Sequence, residues 1–152
     1  MPIRIIAIGK KHESWIAEGI ERYQKRLKQP FNVDWVLLPH SSSDGPSARQ
    51  DESQRILLRL NTHDYVVLLD EKGKMFDSPE LSTTLQKQLN RSRPVTLIIG
   101  GAYGVDDTVH ARSDIVWSLS HLVLPHQLVR LVIIEQVYRS QEIAIGGPYH
   151  HA

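Results

Sequence analysis

A three-layer α/β domain built on a parallel sheet is the fold class this sequence predicts. Three observations lead there. Apolar runs alternate with amphipathic or polar segments along the whole chain, the order expected of strands joined by covering helices. Two of those runs, residues 66–69 and 95–99, are apolar on both faces rather than at every second position, with Thr96 alone breaking the second. Strands buried on both faces read that way, and such strands sit in parallel sheets with helices on either side. The length of 152 residues and a hydrophobic fraction of 41% fit one domain, taken as residues 1–152, with enough core to fold unaided.

The elements follow in order. Residues 3–9 form an isoleucine-rich strand. Residues 13–28 form a helix, because Ile16, Ile20, Tyr23 and Leu27 recur at helical spacing. Residues 33–38 make a second strand, closed by Pro39. The Ser-Ser-Ser-Asp-Gly-Pro stretch at 41–46 is a loop by composition. It leads into a helix over 47–60 with Ile56, Leu57 and Leu60 facing inward. A third strand covers 65–69, after which Asp70, Glu71, Lys72, Gly73 and Lys74 turn away. Ser78 as N-cap and Pro79 at the first helical position open the next helix. Residues 95–99 and 115–119 are the fourth and fifth strands, and 126–140 is the last helix. In that helix Leu128, Val129, Leu131, Val132, Ile133, Ile134, Val137 and Tyr138 leave no clean polar face, the mark of a buried helix. It lies either at the centre of the core or against a second subunit.

Composition excludes several classes of function. With no cysteine, there is no disulfide framework, thiolate metal site or cysteine nucleophile. The absence is compatible with a reducing cytosol. Uninterrupted apolar runs stop at about five residues, against the roughly 20 of a membrane helix. The Met-Pro-Ile-Arg start lacks a signal-peptide core, so a cytoplasmic protein without a membrane segment is expected. The formal charge is only +1. Residues 1–30 nevertheless carry seven bases against three acids, a surplus that suits either a solvated helix face or a polyanion.

Ligands of open α/β sheets bind beyond the carboxyl ends of the strands, and three loops fall there. The first is 70–74. The second is Gly100-Gly101-Ala102-Tyr103-Gly104, where glycine lets backbone approach a ligand. It matches neither the dinucleotide fingerprint nor a phosphate loop. The third, Ser120 to His126, is apolar around Pro125, either a buried loop or a pocket wall whose backbone amides and carbonyls read an adenine edge. The eight histidines contain no His-x-x-x-His pair, so no metal is expected. Ser118 and Ser120 lack the Gly-x-Ser-x-Gly elbow of a hydrolase. Arg130, Arg139, Tyr149 and His150 form a last group. Arginine forks suit phosphates, and tyrosine or histidine rings stack on unpaired bases. Helix-end charge and a tail without fixed structure account for the same residues equally well.

Taken together, Leu69-Asp70-Glu71-Lys72-Gly73-Lys74, Ile99-Gly100-Gly101-Ala102-Tyr103-Gly104, Ser118-Leu119-Ser120, Leu124-Pro125-His126-Gln127-Leu128-Val129-Arg130, Glu135-Gln136-Val137-Tyr138-Arg139 and Pro148-Tyr149-His150 resemble the RlmH family of small bacterial SPOUT methyltransferases. The resemblance spans the whole chain. It implies a SPOUT domain with a C-terminal trefoil knot, which no periodicity reveals because knots are nearly absent from folds. It also implies a homodimer, S-adenosylmethionine as methyl donor, and N3 of a pseudouridine in the helix 69 loop of 23S rRNA as acceptor, on assembled ribosomes. Donor binding would then fall to Leu69, Gly100, Gly101, Leu119, Ser120, His121, Leu122, Val123 and Leu124. Catalysis would fall to His150, Tyr149 and Arg139, with His150 taking the N3 proton, and RNA contact to Arg130, Arg139, Tyr149 and His150. Gly146 and Gly147 leave the linker to that tail loose. A non-catalytic α/β dimer that holds a nucleotide-like ligand or docks on the ribosome is the alternative.

Overall fold

The computed structural model describes residues 2–151; Met1 and Ala152, the ends of the expected domain, lie outside the described residues. Its elements are β1 (Ile3–Ile8), α1 (Ser14–Gln24), β2 (Val33–Leu38), α2 (Gly45–Leu57), β3 (Tyr65–Lys74), α3 (Ser78–Asn90), β4 (Val95–Ile99), α4 (Asp107–Arg112), β5 (Ile115–Trp117) and α5 (His126–Ala144). The five strands form one sheet in the order β2-β1-β4-β3-β5, and every pairing is parallel.

Both faces of the sheet are covered. Side chains alternate along each strand. Ile3, Ile5, Val67 and Leu97 meet Ile16 and Ile20 of α1, Leu81 and Leu85 of α3, and Ile133, Ile134 and Val137 of α5. On the other face Ile6, Ile8, Leu68 and Ile98 meet Ile56 of α2 and Val109 of α4. This is the three-layer α/β arrangement that the apolar strands and intervening helices predict. The last helix lies in the first of these layers, across α1 and α3.

The structure corrects several boundaries. Helix α1 stops at Gln24, short of 28, and α5 runs on to Ala144, past 140. Helix α3 is capped by Asp77, not Ser78. The Asp77 carboxylate accepts from the Glu80 amide at 2.9 Å and Glu80 Oε1 accepts from the Asp77 amide at 3.2 Å, a reciprocal capping box. Ser78 is left free to donate to Gln136 Oε1 on α5 at 2.6 Å. The six-residue α4 is too short and polar to show periodicity in the sequence. Its cap, Asp106, accepts from the amides of Thr108 and Val109.

The largest difference lies after Leu69. The 70–74 segment turns away as expected, but it returns: Leu69 and Lys74 both pair with Trp117 of β5, with a register shift between them. The Ser118 amide donates to the Lys74 carbonyl at 2.9 Å. At the point of return Gly73 lies against β5, where an added Cβ would meet the Val116 carbonyl oxygen at 2.6 Å. Gly73→Ala therefore has to push two strand backbones apart. Urea unfolding should show it less stable by about 1–3 kcal/mol, the usual range for overpacking. An unchanged midpoint would mean that β5 yields without resistance.

Candidate functional site

The carboxyl ends of β3, β4 and β5 open into one cavity of about 850 Å3. Glycine builds one wall. The Gly104 amide donates to the Gly101 carbonyl at 3.0 Å, and Gly104 holds a φ of +72°, a backbone state that favours glycine. The turn this makes presents main chain to the cavity. The opposite wall is apolar and comes from the segment after β5. There Ser118 Oγ donates to the Ser120 carbonyl and Ser120 Oγ accepts from the Leu122 amide. These local bonds give shape to a segment with no regular structure.

Leu69, Gly100, Gly101, Leu119, Ser120, Leu122, Val123 and Leu124 all line this cavity. His121 is exposed and is not among the lining residues. The structure adds Arg49 from α2, Asp70 and Lys72, Tyr103, His110 from α4, and His126 and Val129 from the start of α5. Asp70 and His110 form a polar pair at 3.5 Å. The His126 imidazole is held below its ordinary value of 6.5, first by burial and then by charge interactions with Arg130 and His40; the Gly100 backbone and Glu52 push the other way. It is therefore neutral at pH 7.

The tail residues meet elsewhere. Glu135 Oε2 accepts from Arg139 Nη2 and from the Tyr149 hydroxyl, both at 2.8 Å. The Arg139 guanidinium lies 4.7 Å over the Tyr149 ring, and the Tyr138 ring meets Tyr149 edge-on at 4.7 Å. Arg139 Nη1 donates to His150 Nδ1 at 3.1 Å. Burial and then Glu135 raise the Tyr149 phenol well above its usual value, so it stays protonated. Arg139, in turn, is raised chiefly by its hydrogen bond to Glu135. The three expected catalytic residues are thus brought together, with Glu135 as the acceptor that organises them. The sequence motif contained Glu135 but gave no reason to single it out. None of these residues lines the cavity. From Val129 to Glu135 is six residues of helix, about 9 Å along the axis at ~1.5 Å per residue.

Arg130 stands apart from both groups. Expected at the RNA surface, it is 0% exposed. Its Nη2 donates to the carbonyls of Ile8 at 3.0 Å and Gly9 at 3.1 Å, and its Nη1 donates to the Lys11 carbonyl at 2.9 Å and faces His12 Nδ1 at 3.2 Å. Its fork is committed to main chain, and no part of it reaches solvent. Among the described residues, no cluster of three or more histidines or acids could hold a metal, and no helix is long and apolar enough to cross a membrane.

Comparison with known proteins covers the full chain. The family model described as "Predicted SPOUT methyltransferase" matches residues 1–150. The protein named ribosomal RNA large subunit methyltransferase H from Desulfitobacterium hafniense (strain DSM 10664 / DCB-2) is 37% identical over 158 residues, covering 99% of each chain. The protein of the same name from Stenotrophomonas maltophilia (strain K279a) is 38% identical over 156 residues, covering 100% of each. The solved SpoU methyltransferase AviRb from Streptomyces viridochromogenes, in complex with AdoMet, superposes with a TM-score of 0.49 at 15% identity, over 95% of this chain and 58% of that one. On the family match over residues 1–150 and the two relatives at 37% and 38% identity, the chain belongs to the SPOUT methyltransferase family.

Proposed function

We propose that this protein transfers a methyl group from S-adenosylmethionine to N3 of a pseudouridine in the helix 69 loop of 23S rRNA, acting on assembled ribosomes in the cytoplasm. The observation that carries the proposal is the single cavity closed by the three strand-end loops, in a chain whose full-length relatives are named for methylation of large-subunit rRNA. A glycine-built turn and an apolar wall of main chain suit a nucleoside that is bound by its edge and by packing. Leu69, Gly100, Gly101 and residues 119–124 are the proposed donor site, with His121 contributing backbone alone. The C-terminal knot belongs to the same proposal. What supports it is that β5 lies at the sheet edge beyond β3, yet the segment following it lines the cavity together with the loop after β4.

The reaction forms the bond from N3 to the methyl carbon as the bond from that carbon to the sulfonium sulfur breaks, which leaves the neutral thioether S-adenosylhomocysteine and passes the N3 proton to His150 or to water. Positioning alone can supply roughly 7–11 kcal/mol of the barrier. Arg139 and His150 are the proposed stabilisers of the anion that forms on the base, and Tyr149 the surface on which the base stacks. A guanidinium only donates, so the bond from Arg139 leaves the neutral His150 ring with its proton on Nε2. In this arrangement His150 offers an N–H. The role of proton acceptor, expected from the sequence, requires that bond to break first. Arg130, buried against β1, is assigned to holding α5 rather than to RNA.

We further infer a homodimer. Donor cavity and tail cluster sit at different heights on α5, so one chain alone does not bring them together. Antiparallel pairing of two α5 helices would set the tail of one chain beside the cavity of the other. The partly exposed Leu128 and Val132 on α5 and the exposed Leu122 and Val123 offer apolar surface for this contact. With a net charge of +1, tight binding to free RNA is not expected, since phosphate contacts dominate such affinity.

Three measurements test these readings. Labelled S-adenosylmethionine incubated with ribosomes lacking the modification should place label at the pseudouridine, and none on ribosomes carrying uridine there. Donor binding without transfer would move the function to a non-catalytic module. Arg139→Ala and His150→Ala should each lower kcat by about 10²–10³, as loss of an anion-stabilising donor does, with donor Kd unchanged; an unaltered rate would remove them from catalysis. Donor Kd should be flat from pH 7 to 8 and weaken as pH falls below 6.5, because a proton on His126 opposes the sulfonium cation. Calorimetry on His126→Gln should find that slope gone.

A further inference from the structure

Glu52 is a carboxyl group that the reaction above does not use. It sits on α2, on the sheet face away from α5, and is 3% exposed. Its Oε2 accepts from the Ser41 amide at 3.0 Å and lies 3.9 Å from His40 Nδ1. Its Oε1 is buried and has no hydrogen-bond partner among the described residues. A buried acceptor without a partner costs stability, and an apolar side chain would fill this space at lower cost. The orphan oxygen does touch something: a Cβ built on Gly101 would lie 2.7 Å from it and 3.2 Å from Ile8 Cγ2. Gly101 has no positive φ. The conformation there is open to alanine, and the obstacle to a side chain is mainly the carboxyl group behind it. The next residue on α2, Ser53, accepts at Oγ from the Asp106 amide at 2.9 Å. Two adjacent residues of one helix thus hold both ends of the loop that runs from the glycine turn to the cap of α4.

We propose that Glu52 is a positioning residue for the methyl donor. It backs Gly101 from outside the cavity and is itself fixed by Ser41. It sets the height of the glycine turn on which the donor rests, while Ser53 pins the far end of the loop. It touches no reacting atom. Its effect falls on donor affinity and not on the transfer step. The inference rests on the reading of the cavity as the donor site, and the geometry of the loop in the empty protein provides a check independent of that reading.

The experiment compares the wild type with Glu52→Ala, Glu52→Gln, Gly101→Ala and the Glu52→Ala/Gly101→Ala double variant. Donor Kd is measured by calorimetry, kcat on ribosomes, thermal unfolding by circular dichroism, and amide hydrogen exchange over residues 101–106 without ligand. Glu52→Ala should weaken donor binding about tenfold, a loss well resolved by calorimetry, with kcat within about threefold at saturating donor. Glutamine keeps the volume and an acceptor for Ser41, so Glu52→Gln should restore Kd to within about twofold, at equal or higher thermal stability. Gly101→Ala should weaken binding by itself. The double variant should lose less than the two single effects combined, because truncating Glu52 makes room for the new methyl group. Exchange over 101–106 should quicken in Glu52→Ala. Wild-type affinity in Glu52→Ala or in Gly101→Ala would overturn the proposal, as would a fall in kcat at unchanged Kd, or a glutamine variant no better than alanine. If Glu52→Ala does not fold, Glu52→Gln and Gly101→Ala decide alone. A wild type that binds no S-adenosylmethionine defeats the donor reading, and exchange rates equal in Glu52→Ala and wild type then defeat the positioning claim separately.

Discussion

One buried guanidinium joins the two halves of this chain. Arg130 lies on α5, near the C-terminus, and its two Nη atoms are spent on carbonyls at the end of β1 and in the loop that follows, 119 to 122 residues earlier. Ile8 and Gly9 are buried at the end of the β1 ladder, where the fork supplies donors to their carbonyls, while the Lys11 carbonyl also accepts from Gln127 Nε2 at 3.1 Å. Burial lowers the affinity of the guanidinium for its proton, yet arginine stays charged under all ordinary conditions. The arrangement is therefore costly to dehydrate and still more costly to leave half made. Gly9 is a consequence: its φ is +120° and a Cβ there would meet Arg130 Nη2 at 2.9 Å. So is the position of His126, one turn earlier on α5, at the cavity wall.

The carboxyl end of the sheet is thus assembled from three directions. From the α5 side, Arg130 fixes the loop after β1 and delivers His126 and Val129. From the α2 side, Glu52 and Ser53 hold the glycine turn and the start of α4. From the sheet edge, β5 sends an apolar segment back across β3. The cavity has no dedicated element of its own. It is the space left where these three constraints meet, which explains why its lining mixes main chain, apolar side chains and an ionic rim of Arg49, Asp70, Lys72 and His110.

Much of this was legible in the sequence, for identifiable reasons. The strands were legible because burial on both faces forces unbroken apolar runs such as 66–69. The site loops were legible because a tight turn with a positive φ at Gly104 and close neighbours at Gly100 and Gly101 favour a glycine cluster, and because an apolar stretch around Pro125 has no regular element to explain it. Other features leave no such trace. Arg130 reads as a surface charge, since a sequence records that a side chain is charged but not that carbonyls from the far end of the chain surround it. Glu52 reads as one more polar residue on a polar helix, and its role depends on a turn 49 positions away. Arg49 and His110 reach the rim only through the packing of α2 and α4, and α4 itself is too short to announce itself. The tail cluster was found as a set of residue types, while its organiser, Glu135, became apparent only with the geometry.

The excursion between Leu69 and Lys74 leaves β5 at Trp117 and comes back to Trp117. A segment that departs from and returns to the same partner can lengthen, shorten or change its charges without shifting any other pairing in the sheet. The rim it supplies, Asp70 to Lys72, is therefore insulated from the core, and only Gly73 at the point of return is bound by packing. Mutation can alter ligand-facing chemistry at this place while the scaffold stays constant, which makes it a practical place for changing selectivity by engineering.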